Sequence, residues 1–346
     1  MNEAIADVER AMRQVVAEAE SATAHLFSER DLPLYGVLRY HLGWAEQDFR
    51  PGASDPGKRI RPQICLLCCM AAGGSLEVAV PTAASIELLH NFTLIHDDVQ
   101  DQSMTRRHRP TVWALWGTGQ AINAGDALFA LSQLPLLTSM RQGVPAERVV
   151  HIAREFNTTV LRIVEGQVLD LGYEERWDIP VDAYLAMIEG KTASLVGFAA
   201  WAGAVLAGAD PERAERYRAF GRALGLGFQL RDDVLGIWGD SQVTGKPSGD
   251  DIRRRKKSLP VLLLAAKAAP AERDELRAIY GRPEVSEEAV ARILDLMQRY
   301  NVQAEVQVAV AQYHEEARRR LDEAGASGPA RERLEALAEQ LATRRF

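Results

Sequence analysis

Two aspartate pairs carry the most specific chemistry in this sequence. The first lies in "LIHDDVQDQSMTRRHRP", where Asp97 and Asp98 are adjacent and Asp101 follows Asp97 by four residues. On a helix, residues four apart share a face, and like charges there repel and slightly destabilise it. A hard dication offsets that repulsion. Mg²⁺ favours one or two carboxylates, completed by water and phosphate oxygens. Taken alone, the pattern is equally that of a solvated acidic helix end. The second pair, Asp232 and Asp233 in "FQLRDDVLGIWGD", again follows an apolar helix. Its fourth following position is Gly236, which cannot ligate. Asp240 lies about 80° round an ideal helix from Asp232, and Gly239 is placed to end the helix before it.

The cations cluster as the carboxylates do. "GKRIRP" supplies Lys58, Arg59 and Arg61, and "TRRHRP" supplies Arg106, Arg107 and Arg109. "GKTAS" supplies Lys191, and "VTGKPSGDDIRRRKKSLP" supplies Lys246 and the run from Arg253 to Lys257. Each run follows a turn or opens a helix. Arg and Lys so placed bind phosphate oxygens well, although a solvated surface also carries such runs. Acidic and basic clusters alternating on an apolar helical scaffold are more specific. They describe Mg²⁺-bridged diphosphates feeding into an apolar pocket.

Helices must position these groups. Ala4, Val8, Met12, Val15 and Val16 recur at helical spacing. "PTAASIELLHNFTLIHDD" reads as a long helix with Pro81 near its start. "AERVVHIAREFNTTVLRIVEGQVLDLGY", "ERAERYRAFGRALGLGFQLRDDVLGIWGD" and "KSLPVLLLAAKAA" read as helices too. Period-two strands with hairpin turns are absent. Gly, Pro and charge clusters mark 48–57, 102–110, 173–180 and 241–255 as irregular. No linker, repeat or low-complexity stretch divides the chain. The reading is all-α, one domain over residues 1–346.

Composition narrows the function classes. The 346 residues are 47% apolar, with a net charge of −7 from 41 basic and 48 acidic residues. That balance argues against general nucleic-acid affinity. The cysteines, Cys65, Cys68 and Cys69, sit in one apolar stretch without a second pair. They read as buried thiols in a reducing compartment. The N-terminus lacks a signal-like apolar core. Runs such as "LPVLLLAA" fall short of the ~20 residues that span a bilayer, so a soluble, cytoplasmic protein without a transmembrane segment is expected.

Eight motifs occur in order: "GKRIRP", "ELLHNFTLIHDDVQD", "RRHRPTVW", "GDALFA", "EGQVLDL", "GKTASL", "FQLRDDVLGIWGD" and "TGKPSGDDIRRRKKSLP". By this ordered set, over nearly its whole length, the chain resembles the trans-isoprenyl diphosphate synthases, or polyprenyl synthetases. The resemblance implies the isoprenoid synthase fold, a single large helical bundle around a central apolar cavity, and a homodimer. It implies Mg²⁺-dependent head-to-tail condensation of isopentenyl diphosphate with an allylic diphosphate, three ions per active site bridging the latter.

The same resemblance assigns roles. Lys58, Arg61, His90 and Arg107 would hold isopentenyl diphosphate. Arg106, Lys191, Lys246 and Lys256 would hold the allylic diphosphate. Asp97 and Asp101 would bind Mg²⁺ from one wall and Asp232 from the other, supported by Asp98 and Asp233. Lys191, Thr192 and Gln229 would serve catalysis, with Thr192 and Gln229 lining the reacting carbons. Gln167 and Asp170 would face the cavity, or serve packing or a salt bridge. The family's second motif normally carries a third aspartate where Gly236 stands, which puts direct ligation from that end in question.

These residue types suit the reaction. Ionising an allylic diphosphate separates a carbocation from a pyrophosphate anion. Preorganised positive charge stabilises the anion, and dry walls keep water from capturing the cation.

Product length would be set one turn before Asp97. Phe92 and Thr93 stand five and four residues before it. One aromatic there resembles enzymes making geranylgeranyl diphosphate; farnesyl or longer products are the alternatives. A class I terpene synthase would have no use for an isopentenyl diphosphate site. A non-catalytic subunit of a heteromeric synthase has only Gly236 in its favour.

Overall fold

The computed structural model describes residues 1–23, 33–239 and 248–343, and helices dominate it. The chain forms two compact units: residues 1–155 with 202–210, and residues 156–201 with 211–346.

In the first unit, α1 (Asn2–Thr23) buries Ala4, Val8, Met12, Val15 and Val16, the stripe read from the sequence. It is followed by α2 (Leu34–His41), α3 (Ile60–Ala71), α4 (Leu76–Gln100) and α5 (Val112–Thr138). Helix α4 packs along α5, α3 and α1. It starts at Leu76, before the expected Pro81, so the proline sits inside the helix. By length and composition α4 is apolar enough to cross a bilayer, yet 67% of its most apolar window is buried within the protein. Glu87 and Asn91 interrupt its apolar sequence. Both are buried and partnered: Asn91 Nδ2 donates to Glu87 Oε1 at 3.1 Å, and Arg59 Nη1 also donates to that oxygen. Arg59 Nη2 reaches Glu9 Oε2 at 3.0 Å. One buried guanidinium thus ties α1 and α4 to the start of α3.

The three thiols lie buried in α3, as expected. Burial raises Cys65 and Cys68 well above the usual thiol range and pushes Cys69 up to about 12, which keeps them as unreactive thiols.

One expectation fails here. Thr105–Arg106 (β1) and Arg109–Pro110 (β2) pair antiparallel as a minimal hairpin. Arg107 and His108 turn it with φ of 50° and 61°. A two-residue turn with both φ positive is usually coded by Asn-Gly, so this one carried no recognisable signal.

In the second unit the elements are α6 (Ala146–Tyr173, shared with the first unit), α7 (Val181–Ile188), a π-helical turn (Glu189–Ala193), α8 (Ser194–Leu206, also shared), α9 (Pro211–Trp238), α10 (Asp250–Arg253), α11 (Leu259–Lys267), α12 (Pro270–Tyr280), α13 (Glu287–Arg299), α14 (Val302–Glu323) and α15 (Gly328–Ala342). Helix α9 ends at Trp238, just before Gly239, and lies along α14. Its buried Leu230 and Ile237 join a core cluster with Met187, Ile252, Leu264, Ile293 and Val306. Ser286 accepts from the Ala289 N–H at 3.3 Å to cap α13. That helix buries Val290, Ile293, Leu296 and Met297 on one face.

Candidate active site

In the first unit the basic clusters sort by the direction each side chain takes. Arg59 adopts φ of +49° at the residue preceding α3 and turns inward to Glu87 and Glu9. Its neighbour Arg61 instead donates from Nη1 to His90 Nε2 at 3.1 Å. An arginine cannot accept, so the His90 proton sits on Nδ1. Arg107, on the hairpin turn, reaches back to the loop before Lys58 and donates to the Pro56 carbonyl at 2.9 Å. Gly57 there has φ of +79°, and a Cβ on it would stand 2.5 Å from Arg107 Nη2. Burial, then Arg61, Arg107, Arg106 and Arg59, hold His90 well below the usual imidazole range. The same surroundings drive buried His41 down to about 3, burial first and then Arg106 and Arg107. Burial first, and the neighbouring arginines after it, keep both imidazoles neutral, and the arginines around them make the region locally positive.

The other arginines of "RRHRP" brace the loop. Arg109 donates to Ser54 Oγ at 2.7 Å and Ala45 O at 2.8 Å, and stacks 4.0 Å over the Tyr40 ring. Arg106 grips buried Asp98 with Nε at 2.9 and 3.0 Å and Nη2 at 2.8 Å. Burial raises the Asp98 carboxyl above its usual range although Arg106 opposes it. Asp98 therefore points into the protein. Asp97 is half-buried, Asp101 is exposed, and the Asp101 N–H closes the helix onto Asp97 O at 2.8 Å.

One turn earlier, Phe92 packs between His96 and Phe129, with ring centroids 4.8 and 5.4 Å away. His96 Nε2 donates to the Ile122 carbonyl at 3.3 Å. It fits because Gly125 leaves the space: a Cβ there would lie 2.1 Å from that nitrogen. Thr93 turns its hydroxyl back to His90 O at 2.8 Å, a bond within its own helix. His96, Gly125 and Phe129 were not singled out from the sequence, because helix spacing within α4 says nothing about its neighbour.

The second unit gathers another set. The π-helical turn interrupts the helical run at Lys191 and Thr192, and such turns recur at functional sites. Gly166 makes room for it, since a Cβ there would stand 2.2 Å from the Lys191 nitrogen. Lys191 Nζ bonds Asp170 Oδ2 at 2.5 Å, which realises the salt-bridge alternative for Asp170. Thr192 donates to Gln229 Oε1 at 3.1 Å, and Gln229 Nε2 donates to Asp233 Oδ1 at 3.2 Å. Asp233 Oδ2 accepts from Tyr184 at 2.5 Å and from the Leu259 N–H at 3.3 Å. Burial above all pushes the Asp233 carboxyl up to about 7. Asp233 is thus an internal anchor that orients Gln229, and Tyr184 is a member of this chain that the sequence reading missed. Asp232, adjacent on α9, is half-buried.

Of the late basic run, Arg253 pairs with Glu287 at 2.7 Å and Arg255 donates to Arg282 O at 3.0 Å. Lys257 donates to Tyr173 O at 3.2 Å and lies over the Trp177 ring. Lys256 is exposed. Lys246 and Asp240 fall outside the described residues. Among the described residues, no three His, Cys, Asp or Glu side chains converge to hold a metal unaided.

Residues 44–297 match the family profile described as polyprenyl synthetase. The chain belongs to the polyprenyl synthetase family. Over 239 residues this family member is 45% identical to (2E,6E)-farnesyl diphosphate synthase of Mycobacterium tuberculosis (strain ATCC 25618 / H37Rv), a match covering 68% of this chain and 65% of that relative. The match therefore spans just under two thirds of the relative's length. A crystal structure of polyprenyl synthetase from Streptomyces coelicolor A3(2) superposes with a TM-score of 0.83 at 36% identity, covering 97% of this chain and 99% of that one. Geranylgeranyl pyrophosphate synthase from Corynebacterium glutamicum, solved with isoprenyl diphosphate and magnesium, also gives 0.83, at 28% identity and 98% of both chains. The matched residues 44–297 contain both aspartate pairs and the cationic clusters described above.

Proposed function

We propose that this chain is a trans-isoprenyl diphosphate synthase that condenses isopentenyl diphosphate head-to-tail with an allylic diphosphate, acting as one catalytic domain over residues 1–346. The carrying observation is the cationic cluster of Arg61, Arg107 and neutral His90 near Lys58, in addition to the aspartate motifs. Ionisation of one allylic diphosphate needs no such cluster; a second diphosphate substrate does. Lys58, Arg61, His90 and Arg107 hold isopentenyl diphosphate in this reading, and Arg106, Lys191, Lys246 and Lys256 hold the allylic diphosphate. Lys58→Ala and Arg107→Ala are each expected to raise KM for isopentenyl diphosphate about ten- to a hundredfold, the worth of one charge-assisted hydrogen bond. Their KM for the allylic substrate should stay near wild type. Steady-state kinetics with each substrate varied checks the division; equal effects on both substrates would refute it.

The oxygen donors of Asp97, Asp101 and Asp232 suit a hard ion such as Mg²⁺, three ions on the family pattern. With Mg²⁺ held there, charge on the departing diphosphate would be neutralised. The chain's own groups do the rest. Asp98 holds Arg106 in place through its bidentate grip. Thr192 and Gln229 present oxygen dipoles fixed by Asp233 and Tyr184, oriented before the carbocation forms. Apolar walls exclude water from it. The complex with isoprenyl diphosphate and magnesium in the Corynebacterium relative supports this reading.

The product proposed is geranylgeranyl diphosphate. Phe92, braced by His96 and Phe129, floors the pocket, while Thr93 leaves room beside it. The 45% identity to a farnesyl diphosphate synthase favours the shorter product as the second reading. Phe92→Ala should lengthen the product and Thr93→Phe should shorten it toward farnesyl diphosphate. Mass analysis of the prenyl products decides. An active Phe92→Ala variant with an unchanged product distribution would remove Phe92 from chain-length control.

A cytoplasmic homodimer completes the proposal. On α6, Leu161, Val164, Val168 and Leu171 form an outward apolar stripe at helical spacing. Such stripes mark association surfaces.

A further inference from the structure

The hairpin that carries Arg107 is too small to hold its own shape. Its strands are two residues each, paired as Thr105 with Pro110 and Arg106 with Arg109. A lone two-stranded hairpin is marginal at best in water. The turn adds a further cost. Arg107 and His108 both sit in the left-handed region, at φ of 50° and 61°. Residues with a Cβ stay there only where their surroundings impose it. Contacts outside the hairpin must therefore fix where the Arg107 guanidinium goes.

One arginine on each strand supplies them. On β1, Arg106 is held by Asp98. On β2, Arg109 reaches across to the segment that leads into Lys58. Its Nη1 donates to Ser54 Oγ at 2.7 Å and to Tyr40 O at 3.3 Å, and its Nη2 donates to Ala45 O at 2.8 Å. The guanidinium lies 4.0 Å over the Tyr40 ring, and Tyr40 Oη donates to Pro110 O at 2.9 Å, the next residue of β2. Trp116 backs this contact, meeting Tyr40 edge-on at 5.1 Å and stacking on Phe49 at 5.7 Å. The Ser54 N–H in turn donates to Gly43 O at 3.1 Å, which closes the segment on itself.

Two residues beyond Ser54, the Pro56 carbonyl accepts from Arg107 Nη1 at 2.9 Å. Arg107 and Arg109 thus bridge the same two segments. Both terminal nitrogens of Arg109 point at protein oxygens, which marks it as a brace and not a ligand. We propose that Arg109 is a positioning residue for isopentenyl diphosphate: by pinning β2 to Ser54 and Ala45 it fixes the left-handed turn that aims Arg107 at that substrate. This rests on the proposed role of Arg107.

A double-mutant cycle on Arg107 and Arg109 in the full chain tests it. Calorimetry reads binding of isopentenyl diphosphate without primer, and steady-state kinetics reads KM for each substrate. Arg109→Ala should weaken isopentenyl diphosphate binding about tenfold, the low end for one charge-assisted hydrogen bond, with KM for the allylic substrate near wild type. The double variant Arg107→Ala/Arg109→Ala should bind no more weakly than Arg107→Ala. A residue that acts through another has nothing left to position once that one is gone, so the two losses do not add. Additive losses would show Arg109 acting independently and overturn the inference. Wild-type binding in Arg109→Ala beside a weakened Arg107→Ala also overturns it, and leaves the Arg107 reading standing. Wild-type binding in Arg107→Ala overturns both. Should Arg109→Ala fail to fold, Arg109→Lys enters the same cycle with the same outcomes: it keeps a cation near Tyr40 but lacks the planar fork that reaches Ser54 and Ala45 together.

Discussion

Asp97→Ala should lower kcat by roughly 10²–10³-fold or more, the scale on which single preorganised electrostatic groups act, with its helical circular dichroism unchanged. The side chain is half-buried at the end of α4 and takes no part in the buried lock of Arg59 and Glu87, so its loss costs chemistry rather than packing. Asp232→Ala should behave alike. Asp98→Ala should differ. It leaves Arg106 without the carboxylate that receives its hydrogen bonds at 2.8 to 3.0 Å, and should destabilise the loop as well as slow turnover. Near wild-type kcat in Asp97→Ala would remove it as a metal-binding residue.

Glu87→Ala should cost about 3–5 kcal/mol of stability, the usual consequence of breaking a buried ion pair and leaving one charge behind. The Arg59 side chain is only 4% exposed and Glu87 3%, so water cannot replace the lost partner. Glu9, 25% exposed, remains to Arg59 and compensates in part. Denaturant unfolding followed by helical signal measures the loss. A change below about 1 kcal/mol, typical of exposed pairs, would contradict the burial described. The same experiment separates Arg59 from its neighbours: a stability defect marks a structural cation, whereas Lys58→Ala should change KM alone.

That contrast shows what the sequence could and could not reveal. "GKRIRP" presents three cations alike, and only the left-handed backbone at Arg59 turns one of them inward. Local periodicity made the helices legible, and with them the common face of Asp97 and Asp101. The second aspartate pair was legible as an interrupted motif, but the packing of the Asp251 carboxylate over Gly236 was not, because the two segments meet only in the fold. Tyr184 lacks any motif; its role comes from reaching Asp233 across 49 positions of sequence. The hairpin at Arg107 and His108 lacked the glycine that usually announces such a turn. Lys257 looked like a phosphate ligand in a basic run and instead serves the carbonyls at the end of α6.

The central claim is chain elongation. Purified protein incubated with labelled isopentenyl diphosphate, an allylic diphosphate primer and Mg²⁺ tests it most directly, with products resolved by mass. The expected result is incorporation of label into a longer allylic diphosphate, chiefly the twenty-carbon species. Consumption of the primer to a hydrocarbon without uptake of label, or no reaction by the protein alone, would contradict it.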